Sequence, residues 1–280
     1  MPAATYLARH GILVNLMDAG ELLYYGVVPE DCAVVALSRS GRTAETARLA
    51  AKMKSQGVPL VAITNCPSSD FGKAAEVPLW ISGDLDHGVS IQTYTGGVLT
   101  GLYLAASLTD AVAEFDGEVE SALASLGSRM EAWQCEVDSW RLGDCSHFFF
   151  LGRGYSLSSA CESALLMQEL ARRPASWCNA AEFRQGPVEA LHPGHVVVIF
   201  APEGPTQHLN ESLAADLLRT GAQVIVAGRA LGAPEYLAPV LQIVPVQMAA
   251  YAIAAGDVDS PGQFRYAPVI SEKEDGLAAG

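Results

Sequence analysis

Val34-Val-Ala-Leu-Ser-Arg-Ser-Gly-Arg-Thr43 joins a short β-branched run to a loop of small residues, and a helical pattern follows. A relative of this stretch returns as Val196-Val-Val-Ile-Phe-Ala-Pro-Glu-Gly-Pro-Thr206, with Thr206 lying 163 positions after Thr43. Neighbouring segments pair in the same way. Gly57–Thr64 matches Gly221–Gly228 at an offset of 164, and Val77–Ile81 matches Val240–Val244 at 163. The chain therefore reads as a duplication of one α/β unit.

Working outward, strands are expected at Ile12–Asn15, Ala33–Leu37, Leu60–Thr64 and Val77–Ile81, alternating with helices near 19–25, 43–55 and 92–108. The second half repeats the order, with strands at His147–Leu151, Val196–Phe200, Val224–Ala227 and Leu241–Val244 and helices near 156–172, 207–220 and 246–255. The strand runs are apolar on both faces, as buried parallel strands are. Strand–helix alternation implies right-handed βαβ units, hence an α/β fold of two doubly wound parallel-sheet subdomains.

Between the halves, Val112, Phe115, Val119, Leu123, Leu126, Met130 and Trp133 fall at helical spacing, which predicts one long linking helix. The expected organisation is a first domain at 1–108, a linker at 109–145, a second domain at 146–256 and a tail at 257–280. The second half opens with His147-Phe-Phe-Phe-Leu-Gly-Arg-Gly-Tyr-Ser156, whose counterpart would fall before residue 1. The first sheet is therefore expected to lack its opening strand and to carry an unpaired edge.

The chain has 280 residues, half of them apolar, and a net charge of −14. That charge argues against non-specific nucleic-acid binding and against an anionic membrane surface, both of which need a basic face. It leaves room for a small anion at one locally positive loop. The six cysteines form no Cys-x-x-Cys pair and are expected to be buried free thiols. No basic start with an apolar core marks a signal peptide, and no apolar run is expected to reach the ~20 residues of a membrane span. A cytoplasmic chain is expected. The six histidines lack metal-ligand spacing, so no metal is expected; Gly152-Arg-Gly154 lacks the third glycine of a dinucleotide fingerprint, so no cofactor is expected either.

Ser38, Arg39, Ser40, Gly41, Arg42 and Thr43 follow a buried strand and open a helix. Helix N-termini present free N–H groups and a partial positive charge. Serine and threonine hydroxyls add donors, and Gly41 lets the backbone approach. A phosphate cradle at the carboxyl end of a strand is one reading; an ordinary Ser/Thr-capped surface loop is the other. The second copy replaces the serines and gains Glu203, so it should not bind phosphate.

These residues carry a resemblance. Ser38–Thr43 matches the Ser-x-Ser-Gly-x-Thr sugar-phosphate loop of the tandem sugar isomerase (SIS) domain proteins, which include the isomerase half of glucosamine-6-phosphate synthases. Phe150-Leu-Gly-Arg-Gly154 matches the start of the second domain in that family. Glu162-Ser-Ala-Leu-Leu-Met-Gln-Glu169 matches the helix with its catalytic glutamate, and Ala181-Glu-Phe-Arg-Gln-Gly-Pro187 matches its Glu-x-x-His-Gly-Pro turn. Asp257-Val-Asp-Ser-Pro261 matches the entry to its tail.

The resemblance implies flavodoxin-like SIS subdomains, a sugar phosphate as partner, and a homodimer. It implies Glu169 as the base moving a proton between C2 and C1, with Gln185 and Glu182 on the adjoining turn. It implies ligand contacts from Asp86-His-Gly-Val-Ser-Ile-Gln-Thr-Tyr-Thr95, through Val89, Ser90, Gln92 or Thr93. A plain helix entry capped by Thr93 or Thr95 is the competing reading of that loop, and His87 could also touch substrate.

Three departures qualify the likeness. Gln185 replaces a histidine, and an amide cannot shuttle a proton. Leu166 stands where the synthases have a lysine, and their tail lysine is replaced in the region of Arg265 and Tyr266. A glutaminase domain is not expected in this chain.

Overall fold

The computed structural model describes residues 1–266 except Leu85, His87, Asp144, Val258 and Asp259; the side chain of Asp257 is also outside the description. The His87 reading, most of the tail and the core of the Asp257–Pro261 match thus lie outside the described residues. The chain divides into two compact units, Leu13–Leu104 with Phe264–Gly280, and Met1–Ile12 with Ala105–Gln263.

In the first of these, strands β1 (Val34–Leu37), β2 (Leu60–Thr64) and β3 (Val77–Trp80) form a parallel sheet in the order β1-β2-β3. Val34 pairs with Leu60 and Val61 with Val77. The helix Ala44–Gln56 turns Leu49, Ala50 and Met53 inward, where they meet Ala36, Leu60, Ala62 and Phe71. Burying one such large side chain contributes about 1.5–3 kcal/mol. Gly57 ends the helix in the left-handed region at φ 69°. β1 is an edge strand, and Val35 and Leu37 on one of its faces are more than half exposed. The expected strand at Ile12–Asn15 does not form; the segment has no regular structure and its side chains are exposed. Three apolar residues and an asparagine without a paired edge do not make a strand.

The other unit holds β4 (His147–Gly152), β5 (Ala175–Asn179), β6 (His195–Phe200) and β7 (Gln223–Ala227), parallel in the order β5-β4-β6-β7. Val197 pairs with Val224. Leu151, Val197 and Ile199 pack with Phe183, Leu213 and Leu217 into one core cluster.

Several expectations need correcting here. The strand expected at Leu241–Val244 is helical, within Ala238–Leu241 and Ile243–Asp257. Leu241, Ile243, Val246 and Ala250 are wholly buried, and such a largely apolar run fits a buried helix as well as a strand. The expectation that no apolar run reaches membrane length also fails, since Glu235–Gly256 is 22 residues long and contains an 18-residue window with a mean hydropathy of 1.6. Two-thirds of that window (67%) is buried within the protein, as in a core helix. The single linking helix is two, Val112–Ala124 and Leu126–Ser139, divided at Ser125, whose hydroxyl donates to the Ala122 carbonyl. All six cysteines are free, but Cys32 and Cys135 are exposed rather than buried.

Candidate functional site

β1 delivers Ser38 at its carboxyl end, and the Ser38 N–H still donates to Ile63 of the neighbouring strand. The chain then turns through Gly41, whose φ of 63° favours glycine. A methyl group there would lie 2.1 Å from Ser69 Oγ and 2.8 Å from Ser69 Cβ, so the loop has no room for any other residue. The Gly41 N–H donates to the Ser38 carbonyl (3.3 Å) and the Arg42 N–H to Ser40 Oγ (3.2 Å). Ser38 is 5% exposed and its Oγ lies 3.4 Å from Thr43 Oγ1. Thr43 precedes the helix Ala44–Gln56 without a side-chain bond to its first turn. Thr43 is thus the N-cap residue of that helix, but its hydroxyl accepts no bond from the first turn. Glu45, in that turn, also complements the helix dipole.

Two residues tie this loop to its surroundings. The Arg39 carbonyl accepts from Asn65 N–H (3.0 Å) and Thr64 Oγ1 (3.3 Å) at the end of β2. The Arg39 guanidinium reaches the second loop, where Nη1 donates to the Gly88 carbonyl (2.7 Å) and to Ser90 Oγ (3.0 Å). The loops expected to share a ligand are thus directly connected within one unit.

Asp86 organises the second loop. Its Oδ2 accepts from Ile91 N–H (3.0 Å), Thr93 N–H (2.9 Å) and Thr93 Oγ1 (2.6 Å), and its Oδ1 accepts from Gln92 N–H (3.2 Å). Burial pushes the Asp86 carboxyl up, but the bonds from Thr93, Ile91 and Gln92 outweigh it and hold the group below the usual carboxylate range. Thr93 does not cap the helix Gln92–Ser107, as the competing reading had it; Asp86 does, and Thr93 is a donor to it. Val89 is buried, Ser90 half-buried and Gln92 exposed. Sequence reasoning missed Asp86, Asn65 and Thr64. A lone acid five residues ahead of a helical pattern was the available signal for Asp86.

The remaining candidates belong to the other unit. Glu169 is the last residue of the helix Leu157–Glu169 and is half-buried, whereas Leu166 points fully into the core. Arg172, three positions further on, donates to the Gln263 carbonyl (3.0 Å). Glu182 and Gln185 are exposed on a turn that follows Asn179, which accepts from Ala181 N–H (2.9 Å), and that is anchored by wholly buried Phe183.

The loop after β6 differs from its counterpart after β1. Glu203 accepts from Leu231 N–H (3.3 Å), and a methyl group on Gly204 would lie 2.6 Å from the Glu235 carboxyl carbon. Arg9 pairs with Glu235 at 3.4 Å. Burial pushes the Glu235 carboxyl up, partly offset by Arg9. Two acids therefore stand where an anion would approach. Among the described residues no group of three His, Cys, Asp or Glu side chains could hold a metal ion.

The family model for the SIS domain matches residues 3–105 and 141–227. The chain is 29% identical over 273 residues to an isomerizing glutamine–fructose-6-phosphate aminotransferase of Pyrococcus horikoshii, covering 90% of this chain and 46% of the relative. It thus spans about half the length of the curated relatives it matches. Among solved structures, the C-terminal domain of a glucosamine-fructose-6-phosphate aminotransferase from Francisella tularensis superposes with a TM-score of 0.81 at 22% identity, covering 93% of this chain and 82% of that one. A glucosamine-6-phosphate deaminase from Thermotoga maritima gives a TM-score of 0.81 at 20% identity, with coverages of 95% and 84%.

Proposed function

The chain belongs to the SIS domain family, and from that premise we propose that it binds a phosphorylated hexose or hexosamine and interconverts aldose and ketose, or removes an amine from the sugar. The observation that carries this reading is the Ser38–Thr43 loop. It has the hydroxyls of buried Ser38, half-buried Ser40 and exposed Thr43, a glycine that admits only backbone, and a helix end whose first-turn donors are not taken by Thr43. Such an end holds a phosphate by charge-assisted hydrogen bonds of about 1.5–3 kcal/mol each. The names of the relatives support a six-carbon phosphate ester as ligand and amine chemistry as one outcome. Duplication of one α/β unit, a homodimer and a cytoplasmic location are part of the same proposal.

In this reading Ser38, Ser40, Gly41 and Thr43 hold the phosphate, with Arg42 supplying long-range charge. Glu169 removes the C2 proton and returns it to C1, and Gln185 and Glu182 orient the sugar hydroxyls. A second reading, a binding module without proton transfer, is favoured by one observation. Leu166 is wholly buried, so the position of the family's lysine cannot face a ligand, and Gln185 carries no titratable proton.

Thermal-shift titration tests binding. Fructose 6-phosphate should raise the melting temperature where fructose does not, and equal behaviour of the two would defeat the proposal. Deuterium exchange at C2, followed by NMR, separates the readings. Exchange that Glu169→Gln abolishes while binding persists supports the enzyme; binding without exchange in the unaltered chain supports the module.

A further inference from the structure

We propose that Asp86 and Arg39 are positioning residues, which hold the loop Gly88–Thr93 as a preformed wall for the sugar end of the ligand while phosphate is held elsewhere. The inference rests on the sugar-phosphate reading above. Its geometry comes from the first compact unit alone.

Two helices there open at the ligand loops, and their ends are treated differently. At Gln92–Ser107 the Asp86 carboxylate already takes the N–H groups of Ile91, Gln92 and Thr93 together with the Thr93 hydroxyl. An incoming phosphate would meet a like charge and spent donors. At Ala44–Gln56 Thr43 makes no such bond. One anion seat therefore remains, and the second loop faces an uncharged part of the ligand.

Arg39 fixes the spacing between the two loops. Its carbonyl is held by Asn65 and Thr64, and its guanidinium by the Gly88 carbonyl and Ser90 Oγ, so the residue is anchored at both ends. Because Ser90 Oγ accepts from a cation, its own hydrogen is left to donate. The wall thus presents the Ser90 hydroxyl as a donor at a set position, which fits a sugar hydroxyl.

The test is calorimetric titration of the full chain with inorganic phosphate and with fructose 6-phosphate. Removing a negative charge cannot by itself weaken anion binding. A selective loss in Asp86→Ala must therefore come from the wall. The expected result is a fall of about tenfold in fructose 6-phosphate affinity, the worth of one or two hydrogen bonds, with phosphate affinity unchanged or higher. Asp86→Asn, which keeps one accepting oxygen, should fall between the two. Arg39→Lys keeps the charge but loses the fork, and should weaken the sugar phosphate alone. If Asp86→Ala fails to fold, the other two variants carry the comparison. Equal loss for both probes, or no loss for either, overturns the inference while leaving the sugar-phosphate reading intact. An unaltered chain that binds neither probe overturns both.

Discussion

The loops after β1 and β6 follow the same kind of strand and precede the same kind of helix, yet their chemistry is opposite. After β1, Ser38, Ser40 and Thr43 surround a glycine pressed against Ser69, and the nearby acid, Asp86, is consumed by backbone donors. After β6, Glu235 crowds the glycine and pairs with Arg9, while Glu203 accepts from Leu231 N–H. One scaffold position can receive an anion or supply its own. What decides is whether a carboxylate near the helix end is spent inside its loop or left facing the approach.

The sharpest way to break this contrast is Gly41→Val. Left-handed backbone and overpacking against Ser69 together should cost about 2–4 kcal/mol, read by urea unfolding, and fructose 6-phosphate binding should vanish. A stable variant that still binds would mean the loop after β1 is not the seat. Next in size is Ser38→Ala/Thr43→Ala. Losing two charge-assisted bonds should weaken fructose 6-phosphate about a hundredfold, whereas Glu203→Ala should change nothing. Calorimetry should also give one ligand per chain; two would erase the difference between the loops.

The smallest effect concerns pH. Asp86 is held below its ordinary range, so its contribution is present above the unfolded value and is lost as pH falls through the folded one. Glu235 is pushed up by burial, so its contribution is present below the unfolded value and is lost as pH rises through the folded one. Acidification from about pH 6 therefore works against the Asp86 contribution and in favour of that of Glu235. Amide exchange, corrected for its intrinsic rate, should then speed up at Ile91–Thr93 and slow or hold at Gly204 and Gln207. Parallel changes at the two loops would contradict the assignment of opposite roles.

Much of the architecture was legible because buried parallel strands such as Leu60–Thr64 and Val196–Phe200 are apolar on both faces and bounded by glycine. Leu241–Val244 misled for the same reason, since a central helix is apolar all round. β5, Ala-Ser-Trp-Cys-Asn, was missed because its mixed residues show no period, and only pairing with β4 makes it a strand. Ser125 broke the linking helix without a proline or glycine to announce it. In the candidate site, Ser38–Thr43 could be read from its order of small residues. Arg39 could not be read as a tie, because its acceptors at Gly88 and Ser90 lie 49 and 51 positions away.

The chain of residues by itself determined which segments are buried strands, where small residues open a helix, and which loop carries hydroxyls in place of acids. These are local matters, set by side-chain size, polarity and backbone freedom over a few positions. Tertiary structure alone decided that Asp86 closes one helix end, that Arg39 fastens one loop to the other, and that Glu235 stands over Gly204. Each depends on directional hydrogen bonds or close contacts between groups far apart in the chain or in an irregular loop. No periodicity encodes such partners, because they exist only once the sheet has brought the strand ends together.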